Sequence, residues 1–206
     1  MKCSVVIATY NKAWALKRVL ESIRSQKPPF EYEIIVVNDG SSDDTEQVCE
    51  FYSTEYAYLH RPYFCGPAAA KNVGYRKAKG DIILCMNDDV MLMADDAMQR
   101  LCDMKPKTYQ AGHVDEIAQN GEWHAIGIGK QMPLFFLTAV PRKHMYAVGG
   151  CDERFTMLNY EDNFLMYCLV NGRGLQPEMI PEYLGRHIPH ERPPEHWAGD
   201  RFEQAG

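Results

Sequence analysis

No apolar run in the 206 residues approaches the ~20 needed to span a bilayer. No charged, apolar and small-residue leader opens the chain, which passes from Met1 directly into a strand-like segment. No C-x-x-C pair occurs among the seven cysteines, Cys3, Cys49, Cys65, Cys85, Cys102, Cys151 and Cys168. Their odd number, scatter and placement in apolar runs argue against a disulfide framework or a zinc site. They read instead as reduced core residues of a soluble, cytoplasmic protein. A basic excess is also missing. Twenty-two Lys and Arg stand against 28 Asp and Glu, a net charge of -6, which disfavours broad nucleic-acid binding and leaves room only for a local basic groove. Internal repeats and low-complexity tracts are absent. What is present is a 46% apolar chain, long enough for one well-cored domain and short for two.

Strands and helices alternate over the first ninety residues. Ser4 to Ala8 is a β-branched run that reads as a buried strand. Leu16, Val19, Leu20 and Ile23 recur at helical spacing until Pro28-Pro29. Glu33 to Val37 is a second strand, broken by the turn former Asn38-Asp39-Gly40. A helix through Val48 to Tyr52 follows, with Ser42 or Asp43 as cap and Glu46 placed for a capping box on Asp43. Glu55 to His60 is a weaker strand, Ala68 to Lys79 a helix stopped by Gly80, and Asp81 to Met86 a third buried strand. This order predicts a parallel sheet with helices on its faces. Ligands of such sheets bind outside the carboxyl ends of the strands, where Thr9, Asp39 and Asp88-Asp89 all fall.

The second half is less regular. The pattern predicts a helix over Ala94 to Cys102, short polar strands or loops over Thr108 to Gly129, and an apolar strand over Leu134 to Val140. A helix should begin at Pro141 and end at Gly149-Gly150, and another should run from Glu161-Asp162 to Val170. A last strand is expected over Met179 to His187, ahead of a polar tail from Pro193.

Two adjacent carboxylates at a strand end repel each other unless a cation sits there. Asp88 and Asp89 are therefore either a solvated loop or hard ligands for Mg²⁺ or Mn²⁺ able to grip a diphosphate. Glu161 and Asp162 are either acids favoured at a helix start or an acid pair in which one raises the other's pKa. Trp123, Tyr160 and Trp197 are either packing residues or aromatics able to stack on a ring-shaped ligand.

Taken in order, Val5-Val6-Ile7-Ala8-Thr9-Tyr10-Asn11, Ile34 to Thr45, Ala70-Lys71-Asn72-Val73-Gly74, Ala78 to Asp81 leading into Asn87-Asp88-Asp89, Val148 to Phe155 and Tyr160-Glu161-Asp162 resemble glycosyltransferase family 2. The resemblance spans nearly the whole chain. It implies an α/β fold of the GT-A (Rossmann-like) type, a central mostly parallel sheet flanked by helices in a single domain, residues 1–90 binding a nucleotide-sugar and 91–206 the acceptor. It implies that Ala8, Thr9, Tyr10 and Asp39, with Asn11 in the same loop, hold the nucleotide base, usually uracil. A carboxylate suits an imide N–H because it can only accept. Lys71 stands where the family has arginine, keeping the charge near the diphosphate without the bidentate fork, with Asn72 beside it. The family's D-x-D motif falls on Asn87-Asp88-Asp89, its first acid replaced by Asn. Asp88 would bond the ribose or a metal-bound water and Asp89 the Mn²⁺ or Mg²⁺. A late histidine, His187 ahead of His190, would complete the metal site. Asp162 would be the base that deprotonates the acceptor hydroxyl, with Glu161 binding the acceptor and the anomeric carbon inverted.

The donor would then be a nucleotide-sugar, a UDP-sugar in particular. The acceptor could be a glycan, a protein, a lipid-linked intermediate or a modified nucleic-acid base. A sugar nucleotidyltransferase would share the sheet and the metal, but the first strand leads into Ala8-Thr9-Tyr10 and not a Gly-rich loop. A non-catalytic binding protein on the same scaffold is the other alternative, with Asn87 marking decay.

Overall fold

Val5, Val6 and Ile7 are all buried although successive strand residues point to opposite faces. Both faces of this strand are therefore covered, which explains a continuous apolar run in place of alternation. The computed structural model describes residues 1–59, 66–117, 122–126, 135–156 and 160–190. In chain order its first elements are β1 (Lys2–Thr9), α1 (Ala13–Arg24), β2 (Glu31–Asn38), α2 (Thr45–Phe51), β3 (Glu55–Tyr58), α3 (Ala68–Lys77) and β4 (Ile82–Asn87). β3, β2, β1 and β4 lie side by side and parallel, as the alternation predicts. Val5, Ile7, Val36 and Leu84 pack on one face with Leu16, Val19 and Leu20 of α1. Val6, Ile35, Val37 and Ile83 pack on the other with Ala70 and Tyr75 of α3.

The second half comprises β5 (Val90–Leu92), α4 (Ala97–Cys102), β6 (Thr108–Ile117), β7 (Trp123–Ile126), β8 (Leu137–Pro141), α5 (Arg142–Val148), α6 (Glu161–Tyr167) and β9 (Gln176–His187), with a π-helical turn at Cys168–Gly172 after α6. Its pairings are mostly antiparallel, and the full order is β3-β2-β1-β4-β8-β6-β9-β5, with β7 on β6. The parallel sheet thus continues into a mixed one. This order has a consequence for shape. Four strand spacings separate β4 from β5, about 19 Å in a flat sheet. Yet only Asp88 and Asp89 join them, and three Cα steps reach about 11 Å at most. The sheet must curl until its far edge returns to the end of β4, with Asp88-Asp89 at the closure.

Several local expectations change. Asp43 does not form a capping box: α2 starts at Thr45 after Asp44, with no side-chain cap. The Asp43 carboxylate instead accepts from the backbone N–H of Ala13 (2.8 Å), at the start of α1, and from that of Thr45 (3.2 Å). A carboxylate reaching across two loops ties both helix starts together, which a local motif cannot foresee. Pro141 ends β8 and precedes α5 instead of opening it. The polar stretch after Thr108 is a ten-residue strand, held by β8 and β9 on its two sides. β9 begins at Gln176, three residues earlier than its apolar pattern, because β6 supplies a parallel partner from Thr108 onward. The helix expected from Ala94 begins at Ala97. His60, Leu134 and the tail from Pro193 with Trp197 lie outside the described residues.

Candidate active site at the carboxyl edge of the sheet

The closure of the sheet builds a cluster that sequence separation hides. Val90 pairs with His187 in the β5–β9 ladder, and the backbone N–H of Ile188 donates to the Asp89 carbonyl at 2.7 Å. Asp89 Oδ2 then lies 3.0 Å from His190 Nε2 and 3.6 Å from His187 Nε2. One ligand atom each from Asp89, His187 and His190 falls within 4.8 Å of the other two. Asp89 Oδ1 is buried with no hydrogen-bond partner among the described residues. A hard oxygen, two imidazoles and an orphaned carboxylate oxygen are a donor set that fits Mn²⁺, or Mg²⁺ less fully. His187 Nδ1 lies 3.3 Å from Glu116 Oε1, near it without a hydrogen bond between them. Both histidines, not one, converge on Asp89.

Lys12, which the sequence did not single out, enters the same cluster. Its Nζ is 2.5 Å from Asp89 Oδ2 and 3.2 Å from Asp88 Oδ1. Burial pushes the Asp89 carboxyl up, but hydrogen bonds from His187 and His190 and the Lys12 charge outweigh it and hold it well below the usual range. Asp88 goes the other way. Its burial and the neighbouring Asp89 charge exceed what Lys12 offsets, and its pKa is raised. Burial depresses the Lys12 ammonium, and the two acids more than reverse that. The ring of Trp14, half exposed, stands edge-on to His190 with centroids 6.4 Å apart.

The loops that follow β1 and β2 sit at the same edge. Ala8 is level with Val37 and Asn87 on its two neighbours, and Thr9 with Asn38. The Asp39 N–H donates to the Thr9 carbonyl at 2.9 Å, and both side chains are buried. Asn11 takes a left-handed φ of 50°, tolerated by Asn. Its N–H donates to Ser41 Oγ (2.9 Å) and its Oδ1 accepts from the Ser42 N–H (2.8 Å). Asn38 Oδ1 accepts from the Ser41 N–H at 2.7 Å. Tyr10 lies half-buried beside them. Ala8, Thr9, Tyr10, Asn11 and Asp39 therefore form one laced rim.

At the other end, Lys71 on α3 reaches Glu161 Oε1 at 2.9 Å. Burial lowers the Lys71 pKa, but Glu161, Cys151 and Asp162 outweigh it and the ammonium is held charged. Burial raises the Asp162 carboxyl, Lys71 opposes, Glu161 adds to the rise, and the net shift is upward. Lys71 thus stands with the acid pair. Tyr160, just ahead of α6, has φ 74°, an uncommon conformation for a bulky residue that costs about 1–3 kcal/mol. Tyr160 is also largely exposed, whereas Glu161 is buried.

Asn72 is spent on the loop between α5 and α6. Its Nδ2 donates to the Cys151 carbonyl (2.8 Å) and Glu153 Oε1 (2.9 Å), and its Oδ1 accepts from the Cys151 N–H (2.8 Å). Asn72 therefore fixes this loop, and both polar ends of its amide are engaged there instead of facing a ligand. Gly150, with φ 80°, makes the clamp possible: a Cβ there would lie 2.3 Å from Asn72 Oδ1. Gly150→Ala is expected to destabilise the protein by about 2–4 kcal/mol, from the left-handed backbone and the overlap together. Thermal unfolding checks it; a Tm within 2 °C of wild type, on a scale of about 2–4 °C per kcal/mol, would refute it.

Of the sequence-derived residues, Asp89 joins His187 and His190, Asp88 joins Lys12, and Glu161 and Asp162 join Lys71. Asn87 ends β4, its N–H bonded to the Phe136 carbonyl at 2.9 Å. Trp123 lies in β7. Sequence reasoning missed Lys12 and Trp14. The one signal for Lys12 was a lone cation directly after the first strand-end loop, where acids from another strand end had to be neutralised. Six cysteines are free, Cys168 half-buried and the others buried; Cys65 lies outside the described residues. No helix among the described residues is long and apolar enough to cross a membrane.

A family model described as Glycosyl transferase family 2 matches residues 4–126, more than half of the chain. An uncharacterized glycosyltransferase of Bacillus subtilis, YwdF, is 38% identical over 89 residues, 43% of this chain and 33% of that protein. A Campylobacter jejuni protein named GalNAc(5)-diNAcBac-PP-undecaprenol beta-1,3-glucosyltransferase is 33% identical over 97 residues, 45% of this chain and 31% of its own. The chain thus spans about a third of the length of these curated relatives. Among solved structures, Staphylococcus aureus TarS 1-349 in complex with UDP matches with a TM-score of 0.74 at 18% identity, over 92% of this chain and 61% of that one. Mannosyltransferase PcManGT from Pyrobaculum calidifontis, in complex with GDP-Man and Mn2+, matches at 0.70 and 20% identity, over 98% and 61%. At these identities the solved structures establish a shared fold.

Proposed function

The chain belongs to glycosyltransferase family 2, and from that premise we propose that it transfers a sugar from a nucleotide-sugar, a UDP-sugar in particular, to an acceptor hydroxyl with inversion. The observation that carries this reading is the convergence of Asp89, His187 and His190 at the carboxyl edge of the sheet, where α/β sheets bind their ligands. Mn²⁺ or Mg²⁺ held by these three residues supplies positive charge to a diphosphate leaving group. Residues 1–90 provide the donor side. The rim of Ala8, Thr9, Tyr10, Asn11 and Asp39 receives the base, with the buried Asp39 carboxylate accepting the uracil N–H, and Asp88 and Asn87 face the ribose. Residues 91–206 provide the acceptor side.

Asp162 takes the proton of the acceptor hydroxyl as its oxygen attacks the anomeric carbon, and the bond to the diphosphate breaks. Its raised pKa makes it a better base than an exposed aspartate. Lys71, ion-paired to Glu161, keeps the acid pair from carrying two uncompensated charges. The acceptor is a hydroxyl-bearing glycan, free or lipid-linked; the undecaprenol-linked substrate in the name of the Campylobacter relative supports the latter. The buried, unpaired thiols support a reducing, cytoplasmic setting.

Calorimetric titration of UDP with and without Mn²⁺ tests the donor half. Binding that is at least tenfold tighter with Mn²⁺ is expected. Binding of GDP, TDP or CDP but not UDP would change the donor and keep the class. Binding of no nucleotide would leave a non-catalytic scaffold.

A further inference from the structure

Three groups compete for one oxygen at the closure of the sheet. Asp89 Oδ2 faces His190 Nε2 at 3.0 Å and His187 Nε2 at 3.6 Å, and it accepts from Lys12 Nζ at 2.5 Å. The ammonium also bridges to Asp88 at 3.2 Å, so that it offsets part of the charge of the two carboxylates where a divalent ion would offset all of it. We propose that Lys12 is a built-in counter-cation that occupies the metal position in the nucleotide-free protein and must be displaced for Mn²⁺ to bind. The inference rests on the metal reading of Asp89, His187 and His190.

A divalent ion bonds carboxylate oxygen at about 2.0–2.2 Å. Two cations cannot both sit that close to one oxygen without strong mutual repulsion in a site where water is scarce. The Lys12 backbone is fixed: its carbonyl accepts from the Ala15 and Leu16 N–H groups in the first turn of α1 (3.0 and 2.9 Å). Its four-carbon stem is not fixed, and the side chain can swing aside. Displacement is favourable only when new negative charge arrives. A nucleotide diphosphate brings it, gives the freed ammonium a partner and adds oxygens for the metal. Metal and nucleotide binding are therefore coupled, and by linkage each raises the affinity of the other equally. The device guards against idle loading: without a donor one cation already stands between the two acids.

The test is Mn²⁺ affinity, by titration of the free-ion paramagnetic resonance signal, for wild type and Lys12→Met, each with and without UDP. Wild type is expected to bind Mn²⁺ weakly alone and tightly with UDP. Lys12→Met should bind Mn²⁺ alone at least tenfold more tightly than wild type, and the tightening produced by UDP should shrink by a similar factor. Its Tm should be lower than that of wild type without metal and rise more on adding Mn²⁺, because the orphaned acids then gain a cation. Mn²⁺ affinity unchanged or weakened in Lys12→Met, with UDP-dependent uptake intact in wild type, would overturn the counter-cation and leave the metal site standing. No Mn²⁺ uptake by either protein, with or without UDP, would overturn the metal reading and this inference with it. Should Lys12→Met not fold without metal, Lys12→Gln takes its place under the same tenfold criterion.

Discussion

Asp162→Asn is expected to lower the rate constant of sugar transfer by about 10²–10⁴-fold, the range typical of removing a general base, and to leave the Kd for UDP within twofold of wild type. The amide keeps the shape and the acceptor oxygen that receives the Asn163 N–H at 2.8 Å, but it cannot take a proton. The pH profile carries the same assignment. Burial raises the Asp162 carboxyl, Lys71 partly opposes, and Glu161 adds to the shift. A base must be ionised to work, so activity should fall as pH drops through a value above that of an ordinary aspartate. That acid limb should vanish in the residual activity of the variant.

The stability effect has the opposite sign to the activity effect. A carboxylate with a raised folded-state pKa binds protons more tightly in the native than in the unfolded chain. Its ionisation therefore costs stability as pH rises from the unfolded value near 4 through the raised one. Asp162→Asn removes that cost at neutral pH, and its Tm should equal or exceed that of wild type. A variant that loses activity and Tm together would make Asp162 a structural residue.

The second large effect is at Asp89. Asp89→Asn is expected to weaken Mn²⁺ binding in the presence of UDP by at least about 100-fold, more than the 10–100-fold typical of removing a residue that only steadies a ligand. His187→Ala and His190→Ala should each weaken it by a smaller factor, since each leaves one imidazole and the carboxylate. Calorimetry of Mn²⁺ into the UDP-saturated protein reads all three. An affinity unchanged in both histidine variants would confine the ion to the carboxylates.

Asp89 also bears on acid stability. Burial raises its pKa, but His187, His190 and Lys12 depress it further than burial lifts it. A depressed carboxylate contributes stability above its unfolded pKa, near 4, and that contribution is lost as pH falls through the lower folded value. Asp89→Asn should remove it at neutral pH, since the site keeps the Lys12 ammonium and loses one of its two charge partners. Breaking a buried pair in this way typically costs about 3–5 kcal/mol, softened here because Lys12 retains Asp88.

The first half of the chain was legible because its signals are local. Val5 to Ile7, Ile34 to Val37 and Ile82 to Met86 are short apolar runs bounded by turn formers, and burial on both faces leaves them no alternation to misread. Their alternation with helices dictated a parallel sheet, and that sheet brings Ala8, Thr9, Asp39 and Asn87 to one edge whatever the rest of the chain does. The acid pairs were legible as residue types at a strand end and before a helix.

The second half was less legible because its strands are defined by partners. Thr108 to Ile117 carries no strong strand pattern, and it is a strand because β8 and β9 flank it. Val90–Leu92 is too short to announce itself, and only its antiparallel pairing with Gly185 to His187 makes it β5. That one pairing decides the chemistry of the site. It forces the sheet to curl across Asp88-Asp89 and carries His187 and His190 some hundred positions along the chain to a single carboxylate oxygen. The sequence by itself determined which residues could bind a nucleotide, hold a metal or take a proton, because those capacities belong to side chains and to the strand ends that bear them. The tertiary structure alone decided that both histidines meet Asp89, that Lys12 is already there, and that Lys71 stands with the acid pair, because long-range pairing and buried charge balance are set by distances that no local pattern encodes.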